Sequence, residues 1–246
     1  MKNRADIRRM QELGKILAHI FKEIEQTIEV GMSTKAVEAH AEEFMKKYNV
    51  QSAFKGYRGY PGSICVSVND EIIHGIPKEE KVIREGDVVS IDIGILKDGY
   101  YMDSASTYIL GKVQNRIAHL VDTTREALCR GIEQFKVNNC LGDISSAIEQ
   151  TVTKEGFSVV KEFVGHGIGR SLHEEPAVPN YGRAHEGAVL QEGMVFAIEP
   201  MVNEGKDAVN ILDDGWTAVT ADGTCAAHFE HTVALTEEGP LILTAL

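Results

Sequence analysis

Apolar residues near the start of the chain recur at spacings of three and four. Ile7, Met10, Leu13, Leu17, Ile20, Ile24 and Ile28 fall on one face of a predicted helix. Gly31 offers a stop, and Ser33 or Thr34 can accept the first free N–H groups of a second helix. That helix carries Val37, Ala41, Phe44 and Met45 to about Tyr48. A glycine- and tyrosine-rich stretch, FKGYRGYPGS, then leads to runs of strand character: ICVSV at 64–68, VVSIDIGI at 88–95 and YYMDSASTYIL at 100–110. Lys97-Asp98-Gly99 predicts a hairpin turn between the last two.

The order then repeats. Ile117, Leu120, Val121, Thr124, Leu128 and Ile132 predict a helix, and Asp143 is placed to cap another through Ala147, Ile148 and Thr151 to about Glu155. Strand-like runs follow at 157–164, 194–202, around 208–220, at 229–235 and in the final LILTAL. EGDVVSID at 85–92 lies over EGMVFAIE at 192–199, and the same displacement of 107 carries 6–48 onto 113–155. This pattern predicts an α+β fold of two related halves, approximately 1–111 and 112–246, sharing one core as a single domain.

Composition narrows the possible functions. Hydrophobic residues make up 43% of the 246, which suits a globular core. Lys and Arg total 25 against 37 Asp and Glu, for a net charge of −12, so nucleic acid is not the expected ligand. No apolar run approaches a membrane span, and MKNRADIRRM puts charges where a secretory signal needs an apolar core. Four cysteines without a CxxC pair suit reduced thiols in the cytoplasm.

The acids are the chemical signal. A hairpin turn at 97–99 sets Asp92 opposite roughly 103 to 105, so Asp92 and Asp103 share a face, directly across or one diagonal step apart. A solvated face is the ordinary explanation of such a pair, but Asp92 sits inside an almost wholly apolar run. Glu199 in MVFAIEPMV and Glu230 in AAHFEHTVAL have similar surroundings, and the repeat relates Asp92 to Glu199. His166 lies among Gly165, Gly167 and Gly169, but Arg170 breaks the dinucleotide pattern. Those glycines would let backbone pass close to a ligand; a turn histidine bonded to backbone fits this segment equally well.

Charge bookkeeping sharpens the choice. Four carboxylates converging within about 5 Å repel by roughly 3 kcal/mol per pair at an effective dielectric near 20. A marginally stable fold needs protons or metals to neutralise them. Two divalent cations balance four carboxylates, and Asp92, Asp103, His166, Glu199 and Glu230 form an oxygen-rich set suited to Co, Mn or Fe. No cysteine belongs to it, which disfavours structural zinc.

With those residues in hand, the chain resembles the type I methionine aminopeptidases of the pita-bread fold. The resemblance rests on SVNDEIIHGIP (67–77), SIDIGILKDGYYMD (90–103), GHGIGRSLHEEP (165–176), AIEPM (197–201), DGWT (214–217) and FEHT (229–232). It implies a central curved antiparallel sheet flanked by two helices from each half. It also implies the same five ligands, with Asp92 chelating one metal, Asp103 and Glu230 bridging, and His166 and Glu199 completing the second. A hydroxide held between the cations would be the nucleophile. Catalytic roles would fall to Glu199 as proton shuttle, to His173 at the scissile carbonyl and to His74 at backbone near the second substrate residue.

Tyr57, Tyr60, Cys65 and Trp216 would line an apolar methionine pocket. Without the resemblance, His74 and these aromatics read as ordinary core or surface residues. Leu172 replaces a usual aromatic beside His173, and Phe54 replaces a common cysteine, which should reshape the pocket rim. The implied substrate is the N-terminal initiator methionine of nascent peptides with a small second residue, acted on by a cytoplasmic monomer without membrane or nucleic-acid partners.

Overall fold

Asn3 starts the first helix: its side chain accepts N–H bonds from Ala5 (2.9 Å) and Asp6 (3.0 Å), while Asp6 accepts in return from the Asn3 N–H. In this computed structural model, which describes residues 1–246, the helix α1 spans Arg4–Thr27. Ile28, the last residue of the predicted stripe, is already extended and lies just outside it. α2 (Thr34–Lys47) is capped by Ser33, whose hydroxyl accepts from Ala36 N–H at 3.1 Å.

The next elements are strands β1 (Gln51–Ser52), β2 (Cys65–Val68), β3 (Glu71–Ile73), β4 (Asp87–Lys97) and β5 (Tyr100–Leu110). β4 and β5 pair along their whole length from Asp87↔Leu110 to Lys97↔Tyr100. Their two-residue turn is Asp98-Gly99, both at positive φ (50° and 74°), the conformation that an Asp-Gly hairpin favours.

The second half repeats the plan with α3 (Asn115–Gln134) and α4 (Leu141–Lys154). Asp143 is not the cap of α4. The helix starts two residues earlier than that, and Asp143 sits in its first turn, accepting from Cys140 N–H at 2.7 Å. A carboxylate at that position reaches back to the cap residue as readily as it could cap forward, and the first-turn N–H groups attract it in either place. The displacement of 107 now holds in detail. α2 and α4 correspond residue for residue, Gly86 and Gly193 share φ near 87°, and the bridge Ser33↔Val82 recurs as Cys140↔Val189.

Beyond α4 come β6 (Ser158–Val159), β7 (Gly165–Gly167), β8 (Glu174–Val178), β9 (Val195–Ile198) and β10 (Met201–Asn203). Then follow β11 (Val209–Ile211), β12 (Ala218–Thr220), β13 (Ala226–His228), β14 (Glu230–Thr236) and β15 (Gly239–Ile242). Three strand predictions need correction. Of the final LILTAL only Leu241 and Ile242 are strand. Only Ser158–Val159 of 157–164 is strand. The run 194–202 is two strands broken at Glu199-Pro200, where proline has no N–H for the ladder.

The main sheet has nine strands, in the order β1-β4-β5-β14-β9-β7-β8, with β2 also on β4 and β15 on β14. The halves meet where β5 pairs β14 through Glu230↔Ala105 and His231↔Ser104. Ile91, Ile93 and Ile95 of β4 pack into a core with Leu13, Leu17 and Ile20 of α1. Strand alternation therefore turns Asp92 and Gly94 to the opposite face. A second core gathers Leu120, Leu128, Ile144 and Ile148 of α3 and α4 around Phe196 and Val233. No helix is long and apolar enough to cross a membrane.

Candidate metal centre

Sheet register brings the five candidate ligands onto one face. Asp92 of β4 lies opposite Ala105, and Ala105 lies opposite Glu230 at the start of β14. His231↔Ile198 is the end of the β14–β9 pairing, so Glu199 continues that row one position beyond the last strand residue. The neighbouring row runs from Gly94 through Asp103 to Thr232, Ala197 and His166. Thr232 secures Asp103 from the backbone: its hydroxyl donates to Asp103 O at 2.7 Å. Asp92 and Asp103 are thus one diagonal step apart, and the small side chains of Ala105 and Ala197 leave room between the acids.

The glycines around His166 have a different reason from the predicted one. A Cβ on Gly165 would collide with Ala197 O, and one on Gly167 with Glu175 O. They are required by close approach of neighbouring strands rather than of a ligand, and His166 itself is a strand residue. Gly94 serves the pocket in the same way: the Phe54 ring occupies the space that a Cβ would fill.

Burial sets the electrostatics. Asp103, His166 and Glu230 are 4%, 7% and 2% exposed, and their ligand atoms lie within 4.8 Å of one another. Asp92 and Glu199 flank this trio in the same cavity. Burial first, then the charges of Asp103 and Glu199, pushes the Asp92 carboxyl far above the usual carboxylate range. Burial raises Asp103 to about 7, and burial followed by the Asp103 charge raises Glu199 and Glu230 strongly. Asp92 Oδ1 and Glu230 Oε1 are sealed from solvent with no hydrogen-bond partner.

His166 decides what can fill the gap. Its Nδ1 lies 2.9 Å from Gly167 O, and a carbonyl only accepts, so Nδ1 carries the hydrogen. Burial lowers His166 and so favours its neutral ring, whose Nε2 then carries no hydrogen and faces Glu199 Oε1 at 3.5 Å. A proton or a cation must sit there. Orphaned carboxylate oxygens, a bare imidazole nitrogen, two buried acids and two half-buried ones fit an oxygen-rich divalent site.

The remaining predicted residues line the same cavity, about 180 Å³ in volume. His173 stacks on Tyr57 at 5.2 Å, and its Nδ1 is 2.8 Å from the Tyr57 hydroxyl. Burial, then neighbouring His166, lowers His173 to about 4, and burial alone lowers His74 to about 4. His74 holds a positive φ of 58° and meets Trp216 edge-on at 6.4 Å. The single hydroxyl hydrogen of Tyr60 is shared between Ile64 O and Gly75 O, both at 3.1 Å, and its ring meets Trp216 edge-on at 5.2 Å. Cys65 stands directly opposite Asp92, and Leu172 and Phe54 close the wall.

Sequence reasoning missed three contributors. Phe163 lines the cavity against His74 at 5.5 Å, from a segment predicted as strand. Asp214 accepts from Trp216 N–H (3.0 Å) and Thr217 N–H (2.8 Å), fixing the turn that presents Trp216; the Asp-Gly pair at 214–215 was its signal. His228 lies buried 3.8 Å from Glu199 Oε2, and nothing local marked it.

Comparison with known proteins adds a family to this geometry. The model of metallopeptidase family M24 matches residues 8–237. Methionine aminopeptidase 1 of Bacillus subtilis is 49% identical over 235 residues, covering 96% of this chain and 94% of its own. The methionine aminopeptidase of Clostridium acetobutylicum is 45% identical over 244 residues, covering 99% and 98%. The crystal structure of methionine aminopeptidase from Thermotoga maritima superposes with a TM-score of 0.98 at 48% identity, covering 100% of this chain and 98% of that one.

Proposed function

Because the chain belongs to metallopeptidase family M24, we propose that it is a methionine aminopeptidase that removes the N-terminal initiator methionine from nascent peptides with a small second residue. The observation that carries this reading is one sheet face presenting four acids and a bare imidazole at the wall of a small, largely apolar cavity. Full-length similarity to enzymes named methionine aminopeptidase supports the substrate. Residues 1–246 are read as one catalytic domain, because its ligands come from both halves of one sheet. A monomer in the cytoplasm is the expected form.

Asp92 would hold one divalent ion of the Co, Mn or Fe class, His166 and Glu199 a second, and Asp103 and Glu230 would serve both. When bound, the ions would lower the pKa of a water and polarise the scissile carbonyl. The side chains do the rest. Glu199 takes the proton of the attacking water and passes it to the departing amine. Tyr57, donating to His173 Nδ1, leaves Nε2–H of His173 free to face charge developing on the carbonyl oxygen. His74, held neutral by burial, binds substrate backbone near the second residue. Trp216, Tyr60, Cys65 and Leu172 enclose the thioether, with Phe54 at the rim, and exclude water.

Steady-state assays on metal-stripped protein, with Mn or Co restored, test the reading on Met-Ala-Ser, Leu-Ala-Ser and an Ala-Pro peptide. Met-Ala-Ser should turn over at least about 100-fold better than the others, the discrimination available to a fitted apolar pocket. Equal turnover of all three, or preference for Ala-Pro, would reject it.

A further inference from the structure

His228 is 1% exposed, and neither of its ring nitrogens has a hydrogen-bond partner within the protein. Leaving a buried donor unpaired is costly. The backbone of His228 is held firmly, because Thr107 donates to its carbonyl at 2.7 Å and accepts its N–H at 3.0 Å. Burial then restrains the ring itself. Nε2 stands 3.8 Å from Glu199 Oε2, just outside hydrogen-bond reach, and Glu199 is the one carboxylate within 4.0 Å of the ring.

Glu199 is approached from two sides by two different imidazoles. Oε1 faces the bare Nε2 of His166, which cannot donate. Oε2 faces His228, and an imidazole in either neutral tautomer carries one N–H. Asn180 fixes the same residue from behind, donating to Glu199 O at 3.0 Å. We propose that His228 is a positioning residue: its Nε2–H engages Glu199 Oε2, so that Glu199 offers only Oε1 toward His166 and the cation between them. The assignment rests on Glu199 being a metal ligand. Such an outer partner raises affinity by holding the ligand in its bound rotamer before the metal arrives.

Three measurements test this. Long-range proton–nitrogen NMR on the intact protein should find His228 in the Nε2–H tautomer; an Nδ1–H tautomer overturns the proposal. Calorimetric titration with Mn should show binding weakened about 10- to 100-fold in His228→Met, which matches the ring in bulk but has no N–H. His228→Gln, which keeps a donor of similar reach, should recover most of that loss. In the loaded enzyme, His228→Met should lower kcat with little change in KM. Wild-type Mn affinity in a folded His228→Met overturns the proposal, and the tautomer decides should that variant not fold. Glu199→Gln separates the two layers. If it binds Mn like wild type, the metal-ligand reading of Glu199 falls with the proposal; if it weakens binding while His228→Met does not, only the role of His228 falls.

Discussion

At Asp103 the fold buries a carboxylate against Asp92 and beside Glu230, at 4% exposure. Its own needs are met only in part, by the neighbouring Ser104 N–H at 3.1 Å. Replacing it should therefore separate stability from function. Asp103→Asn, stripped of metal, should be more stable than stripped wild type by about 1–3 kcal/mol, because one buried like-charge contact disappears. The same variant should lose bound metal and at least about 100-fold in kcat. Urea unfolding and elemental analysis of the purified variant check the two halves; a destabilised variant that keeps its metal contradicts both. The placing of Asp92 and Asp103 on one face was legible in sequence because a short turn at 97–99 leaves few registers, although which residue stands opposite Asp92 was left open between 103 and 105. The tautomer of His166 was not, since it depends on a carbonyl whose direction no local pattern encodes.

Elements with strong periodicity were read to within a few residues, as α1 and β5 show. Short strands escaped notice. β7 is only Gly165–Gly167, and its pairing with β8 and β9 is a property of neighbours far along the chain. The start of α4 shows a finer limit. Cys140 is an unusual cap residue, so the eye moves to Asp143, whose carboxylate in fact reaches back to Cys140 N–H (2.7 Å) and across to His185 N–H (2.8 Å). Those two bonds anchor both the helix and the 183–187 loop. Asp143→Ala should cost about 0.5–2 kcal/mol of stability, as cap losses do. Equilibrium denaturation at neutral pH measures it, and a cost below about 0.3 kcal/mol would mean that the bonds are replaced by water. Backbone donation from Cys140 first, partly opposed by burial, and then from His185 holds this carboxyl below its usual range. Its contribution is thus present above the unfolded carboxylate pKa near 4 and fades as pH falls below it.

For the molecule as a whole, the two cores interlock across one sheet: Ile168, Leu172 and Val195 of the second half pack into the first core, and Val88 of the first into the second. The acids gathered at the seam give the metal-free protein an unusual pH response. Asp103 has a folded pKa near 7, against about 4 unfolded, and the other three acids are raised as well. Between those values the folded state binds more protons, so its stability falls as pH rises from about 4 through about 7. Chelated protein should melt at a higher temperature at pH 5.5 than at pH 7.5, and metal-loaded protein in the opposite order, since protons compete with the ions for the same ligands. Calorimetric scans of both forms decide it; parallel trends would show that the acids are not shared with metal. The repeat that builds this seam was legible because the match of 85–92 with 192–199 shares its displacement with the two helix pairs, but the depth to which each half invades the other was not.

Within the main sheet the joint between the halves is short, Glu230↔Ala105 and His231↔Ser104. During synthesis, at roughly 5–20 residues per second, Ala105 leaves the ribosome on the order of ten seconds before Glu230 follows. Throughout that interval β5, which carries Asp103, is the open edge of the first half's sheet, with Asp92 one strand in, and water on that uncovered face weakens their mutual repulsion. A charge on an exposed edge strand disfavours its pairing with other chains, and Asp103 supplies one. What becomes an electrostatic burden in the finished molecule is, while it is being made, a safeguard against aggregation.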